Sequence, residues 1–186
     1  MKPNLIVLAM LAALAAPAAH AVEYRTVLPA QSVVGFEFRQ MGVPVKGGFK
    51  RFATEMAFDP ARPEAAHAKI EIDLASIDAG SPEADEESAG KLWFNRSMYP
   101  KATFVSKQVR ALGNNRYELR GTLTLKGKPR EMVIPVAYAP GRNAATFDGA
   151  FVLKRLDFGI GEGMWADVAT VANEVQVKFR IAATGK

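Results

Sequence analysis

Apolar and polar residues alternate with a period of two through most of this chain, most cleanly between residues 99 and 138. Alternation of that period puts one set of side chains on each face of a β-strand. In the first strand of this stretch Ala102, Phe104, Ser106 and Gln108 share one face, and Thr103, Val105, Lys107 and Val109 the other. Gly113-Asn114-Asn115 then predicts a turn, because Gly and Asn tolerate positive φ. Tyr117, Leu119, Gly121, Leu123 and Leu125 follow on one face of a second strand. A turn at Lys126-Gly127-Lys128-Pro129 leads to a third, with Met132, Ile134, Val136 and Tyr138 together. Three strands with one apolar face need a second sheet, a helix or closure into a barrel to be stable.

The same reading extends along the chain. Residues 33–40 form a strand with Val34, Phe36, Phe38 and Gln40 on one face, and residues 24–27 a short one before it. Residues 41–48, with Pro44 and two adjacent glycines, read as a loop. Phe52, Thr54, Met56 and Phe58 share a face of the next strand, and Phe49 has the wrong parity for that set. A bulge or kink near Arg51 is therefore expected. Ile70, Ile72 and Leu74 mark a strand over residues 68–77. Ser81-Pro82 makes an N-cap and first-turn pair followed by acids, so a short helix begins there and ends at Gly90. Leu92, Trp93 and Phe94 follow it and should close one end of a barrel. Phe147, Gly149, Phe151 and Leu153 define a later strand, and Val175, Val177, Phe179 and Ile181 the last. About eight short antiparallel strands with one or two short helices predict an all-β sandwich or barrel.

Small residues bear on the choice between the two. Thr54, Ser106, Gly121 and Gly149 share the inward faces with Phe36, Phe38, Phe52, Phe58, Phe104, Phe147, Phe151 and Phe179. In a solid core they would leave voids. An eight-stranded barrel has room for one small ligand. Gly in a strand also marks a bend, so both architectures remain open at this point.

Residues 1–21 read as a cleaved secretory signal: Lys2, an apolar run from Leu5 to Ala16, a break at Pro17, and the small-x-small pattern Ala19-His20-Ala21. The domain is then residues 22–186, and its address is outside the cytoplasm. The net charge of +5 is scattered along strands and turns. It forms no Lys/Arg block, which argues against a nucleic-acid partner. The chain has no Cys, hence no disulfide framework, thiol nucleophile or thiolate ligand, and no acylatable anchor. With His67 the one histidine after residue 21, neither a catalytic base nor a zinc site is expected. The acids Asp85, Glu86 and Glu87 suit a helix start better than acid–base chemistry. An enzyme is not expected.

One set of motifs resembles a known family. Val34-x-Phe36-x-Phe38, Met41-Gly42-Val43 and Gly48-Phe49-x-x-Phe52 are similar to the opening of the YceI-like proteins. Ala75-Ser76-Ile77-Asp78-Ala79-Gly80, Tyr99-Pro100-x-Ala102-Thr103-Phe104-x-Ser106 and Gly121-x-Leu123-Thr124-Leu125-x-Gly127 continue the match. Arg155-Leu156-Asp157-Phe158-Gly159-Ile160 ends it. The resemblance implies a lipocalin-like, eight-stranded antiparallel barrel in the periplasm. Its apolar tunnel would bind an isoprenoid lipid or quinone, with no covalent cofactor and no metal. The tunnel candidates are Phe36, Phe38, Gln40, Phe52, Trp93, Phe94, Phe104, Phe151, Phe158, Trp165 and Phe179. Two positions depart from the family pattern. Gln40 stands where a His is common, and Ala84-Asp85-Glu86-Glu87-Ser88 replaces an Arg-Asp-x-His-Leu segment.

A neutral amide at Gln40 suits a quinone ring better than a diphosphate, which wants cations. Lys46, Lys50 and Arg51 are the nearby cations that would favour the diphosphate. The alternative function is a non-enzymatic interaction protein with a solid core that serves an inner-membrane redox protein. The oligomeric state is open, a homodimer included.

Overall fold

A computed structural model describes residues 22–185; the signal segment expected over residues 1–21 lies outside them. The strands are β1 (Tyr24–Val27), β2 (Val33–Gln40), β3 (Val43–Phe49), β4 (Phe52–Ala57), β5 (His67–Asp73) and β6 (Ile77–Asp78). After helix α1 (Pro82–Ala89) come β7 (Lys101–Gly113), β8 (Arg116–Leu125), β9 (Lys128–Ala139), β10 (Ala145–Lys154) and β11 (Glu174–Gly185). They form one 11-stranded antiparallel sheet in the order β4-β5-β7-β8-β9-β10-β11-β2-β3-β6. β11 is long enough to pair twice on one side, with β2 through Gln176–Arg180 and with β1 from Ala183 to Gly185. The Tyr24 N–H donates to the Phe58 carbonyl (2.8 Å) and the Phe58 N–H to the Tyr24 carbonyl (3.1 Å). Those two bonds join β1 to the end of β4 and draw the curled sheet together there. At the other end α1 and the segments 90–99 and 155–172 lie over the barrel. The all-β, lipocalin-like curl agrees with expectation; the strand count does not.

The difference from eight has local causes. Residues 41–48 are mostly strand rather than loop, because β3 pairs with β2 along its whole length. On its other side it meets β6 only at Gly48 and Phe49. At Pro44 it is therefore an edge, where a missing N–H breaks no ladder. Phe49 has its own parity because it ends β3, and the chain breaks before β4. The Lys50 N–H donates to the Ser76 carbonyl (3.0 Å) and the Arg51 N–H to Ser76 Oγ (2.9 Å) at that corner.

The meander has one irregularity that periodicity misplaces. The β7–β8 register shifts between Ser106 and Gln108, so Lys107 is bulged out and the faces exchange beyond it. Val109 is consequently buried and Gln108 exposed. Both turns follow their residues. Gly113, Asn114 and Asn115 all have positive φ, as do Lys126 and Gly127. Lys126 holds this unfavourable conformation with its side chain, which donates to the Gly159 carbonyl (2.6 Å) and Glu162 Oε2 (2.9 Å). In α1, Ser81 Oγ accepts from the Ala84 N–H (3.2 Å), Pro82 opens the first turn and Gly90 caps the end.

Candidate functional site: an apolar cavity inside the sheet

The inward faces do not meet. They enclose a cavity of about 660 Å³ with an almost wholly apolar wall, well within the size range of small-molecule pockets. Phe36, Phe38, Phe104, Phe151 and Phe179 all line it. Gln40, Trp93, Phe94 and Trp165 line its α1 end. Phe52 and Phe158 do not, and this corrects their assignment. Phe52 packs half-buried against the core, and Phe158 is buried within it by the 155–158 turn. Leu92 sits on the outside of the cap rather than at the mouth, 38% exposed.

The small residues have a different purpose from the one expected. Gly47, Gly121 and Gly149 lie directly beneath the rings of Phe36, Phe104 and Phe179. A Cβ at any of the three would collide with the ring above it. The glycines seat the aromatic wall flat against the sheet and leave no gap for a ligand. The ligand space exists because these rings lie along the wall instead of crossing it. Ser106 is likewise committed: its Oγ accepts from the Ala68 N–H (2.8 Å) across the β5–β7 pair.

One end is closed by aromatics. Phe58 packs edge-on against Tyr117 (5.0 Å, 89°) and Phe147 (5.1 Å, 82°), and Tyr24 against Phe147 (6.0 Å, 78°). Edge-to-face pairs of this kind add stability beyond their buried area. The Tyr138 hydroxyl donates to the Tyr24 hydroxyl (3.1 Å). Burial, helped by that bond, raises the Tyr138 phenol well above the ordinary tyrosine range.

The other end is polar-rimmed. Gln40, Ser81, Glu83 and Glu87 reach the lining there, with both glutamates exposed. Trp165 Nε1 donates to Glu87 Oε1 (2.9 Å), which ties the 163–165 turn to α1. The Trp165 ring stands 5.6 Å from that of Trp93. Beneath them lies Arg155, 2% exposed, its guanidinium 5.8 Å from the Trp93 ring centre. Nε donates to the Ala172 carbonyl, Nη1 to those of Ile160 and Gly161, and Nη2 to those of Trp165 and Val171, at 2.6–3.1 Å. All five donors of a guanidinium are thereby used. Burial lowers its pKa from the ordinary arginine value, and the carbonyl dipoles support the cation.

Sequence reasoning missed Arg155, although a signal existed: Phe151, Leu153 and Arg155 have one parity, which points the arginine inward. It also missed Tyr117 as a polar group of the wall. The cations weighed against a neutral head group are spent elsewhere. Lys50 pairs with Asp78 (3.0 Å) and Arg51 with Asp73 (2.9 Å), both on the exposed surface. Lys46 is exposed as well and, like them, is absent from the lining. His67 opens β5 near the closed end and is exposed.

A curled antiparallel sheet around one apolar cavity defines a lipocalin-like binding fold. The model of the YceI-like domain matches residues 26–183, and the chain belongs to that family. It is 30% identical to a UPF0312 protein of Vibrio cholerae serotype O1, over 95% of this chain and all of that one. The crystal structure of Burkholderia cenocepacia BcnA is similar at 42% identity and a TM-score of 0.83, covering 85% of this chain and 99% of that one. A polyisoprenoid binding domain from Saccharophagus degradans, implicated in plant cell wall breakdown, has the same fold. There the identity is 15% and the TM-score 0.66, over 89% of this chain and 99% of that one.

Proposed function

We propose that this protein carries or sequesters an isoprenoid lipid with a neutral head group, a quinone above all, in the periplasm. The single observation that carries the reading is the cavity: about 660 Å³, apolar, and lined by nine phenylalanines, Phe36, Phe38, Phe104, Phe151 and Phe179 among them. Burying a chain there gains about 0.8 kcal/mol per CH₂, enough to hold a lipid after the costs of ordering it. The polyisoprenoid-binding neighbour supports the same class of ligand. The solid-core interaction protein loses its basis, since the inward faces stay apart. The role is binding rather than catalysis, in keeping with the family.

The charge of the wall supports a neutral head. Among the described residues the lining holds no lysine and one arginine, and every donor of Arg155 is already bonded. The exposed Glu83 and Glu87 at the mouth would repel a diphosphate. Delipidated protein titrated with an isoprenoid quinone and a prenyl diphosphate of equal chain length should bind the quinone more tightly, by at least tenfold. Tighter binding of the diphosphate, abolished by neutralising Lys46, Lys50 and Arg51, would reverse this assignment.

A further inference from the structure

The wall of the cavity carries one hydroxyl that nothing in the protein satisfies and that the cavity can reach. Tyr117 on β8 lines the closed end and is 7% exposed. Of the three tyrosines there, Tyr24 and Tyr138 bond to each other. The Tyr117 hydroxyl has no hydrogen-bond partner among the described residues. Burial alone raises its pKa, with no hydrogen bond or charge contributing. Thr54 Oγ1 and Trp93 Nε1 also lack partners, but both atoms are sealed off by their neighbours, and the Tyr117 oxygen is not.

We propose that the closed end is a hydrogen-bonding subsite in which the Tyr117 hydroxyl takes the oxygen of a neutral head group, so that the lipid is held head-inward with its chain running to the mouth. This rests on the carrier reading above and reverses the end at which Gln40 alone would place the head. Two polar groups compete for it. Gln40 lies at the end of β2 beside Val171, and Tyr117 shares a register line across the sheet with Val136, Gly149, Phe179 and Val34. Six residues along β2, from Val34 to Gln40, separate the two levels, roughly 20 Å at the rise of an extended strand.

Water decides between them. Gln40 is half-buried at the rim, and solvent can serve its amide whatever fills the cavity. Tyr117 stands at the far end of an apolar wall. Once a chain fills the space between, water no longer reaches it, and a buried hydroxyl without a partner is costly. Placing the ligand's oxygen at Tyr117 satisfies both groups; placing it at Gln40 satisfies one. A phenol can donate to a quinone carbonyl or accept from a quinol or isoprenoid alcohol, so the subsite selects a neutral oxygen and not one redox state. A diphosphate there would lie desolvated beside aromatic rings.

Tyr117→Phe removes one oxygen and keeps the ring of the aromatic plug. The probes are a long-chain isoprenoid benzoquinone and an isoprenoid hydrocarbon of the same chain length. The variant should bind the quinone about three- to tenfold more weakly than the unaltered protein and the hydrocarbon equally well. Gln40→Leu should lose less quinone affinity than Tyr117→Phe does, since water at the rim replaces the contact it gives up. A second readout needs no variant. Both tryptophans of the chain stand at the mouth end, so a head-inward quinone ring quenches their fluorescence weakly and a head-outward ring strongly. Unchanged quinone affinity in Tyr117→Phe, a loss confined to Gln40→Leu, or strong quenching in the unaltered protein overturns the subsite and leaves the carrier reading intact. Failure of the unaltered protein to bind either probe overturns the carrier reading itself.

Discussion

Arg155→Met should lower the unfolding free energy by about 4 kcal/mol or more, a loss outside the usual range for one substitution. The residue is 2% exposed and its five donors each meet a backbone carbonyl of the cap. Methionine fills much of the same volume but leaves those carbonyls without their donor. Each orphaned buried group costs about 1–3 kcal/mol, less where the backbone relaxes or water enters. For a domain of this size 4 kcal/mol corresponds to a fall of roughly 8–16 °C in melting midpoint. Arg155→Lys keeps the charge but offers three donors in place of a five-donor fork, and should lose about half as much. Thermal and urea unfolding of the lipid-free proteins measure both. A methionine variant within 1 kcal/mol of the parent would mean that the cap is held by other contacts. Lys126, bonded to Gly159 and Glu162, is the nearest such tie.

Val177→Trp should act on binding and spare the fold. Val177 lies on β11 between Phe36 on β2 and Phe151 on β10, all three lining the cavity. An indole here projects into the space a lipid chain would occupy. Displacing four or five chain carbons at about 0.8 kcal/mol each removes roughly 3–4 kcal/mol of binding, two to three orders of magnitude in affinity. The melting temperature of the lipid-free protein should hold or rise, because an empty apolar space has been filled. Equal affinity for an isoprenoid quinone before and after the substitution would place the ligand elsewhere.

Much of this fold is legible in the residue pattern, and the exceptions have physical reasons. The alternation through Tyr117–Leu125 and Met132–Tyr138 gives those faces correctly, and Ser81-Pro82 gives the start of α1. Periodicity fails at Lys107 because a bulge changes parity without changing composition. It fails at β3 because Pro44 and the adjacent glycines carry the local signature of a loop, while edge pairing with β2 is a long-range fact. The curl is drawn together by Tyr24 and Phe58, far apart in sequence, and no local signal joins them.

The wall was legible for the same reason as the strands. Phe36, Phe38, Phe104, Phe151 and Phe179 are placed by parity alone, and the structure lines the cavity with all five. The explanation attached to the glycines was wrong: each seats a ring, and none opens a gap. Phe158 misleads because residues 155–172 have no repeating period. That segment is ordered by one buried guanidinium rather than by a face. Parity places Tyr117 only on the apolar face of its strand. Its unused hydroxyl becomes visible once Tyr24 and Tyr138 are seen to bond to each other.

The most direct test of the carrier reading is organic extraction of the protein purified without delipidation from the cells that make it, followed by mass spectrometry of the extract. The reading predicts an isoprenoid lipid with an uncharged oxygen-bearing head, near one per chain, and its loss from Val177→Trp purified in parallel. Recovery of no lipid, or of the same lipid in equal amount from Val177→Trp, would contradict it.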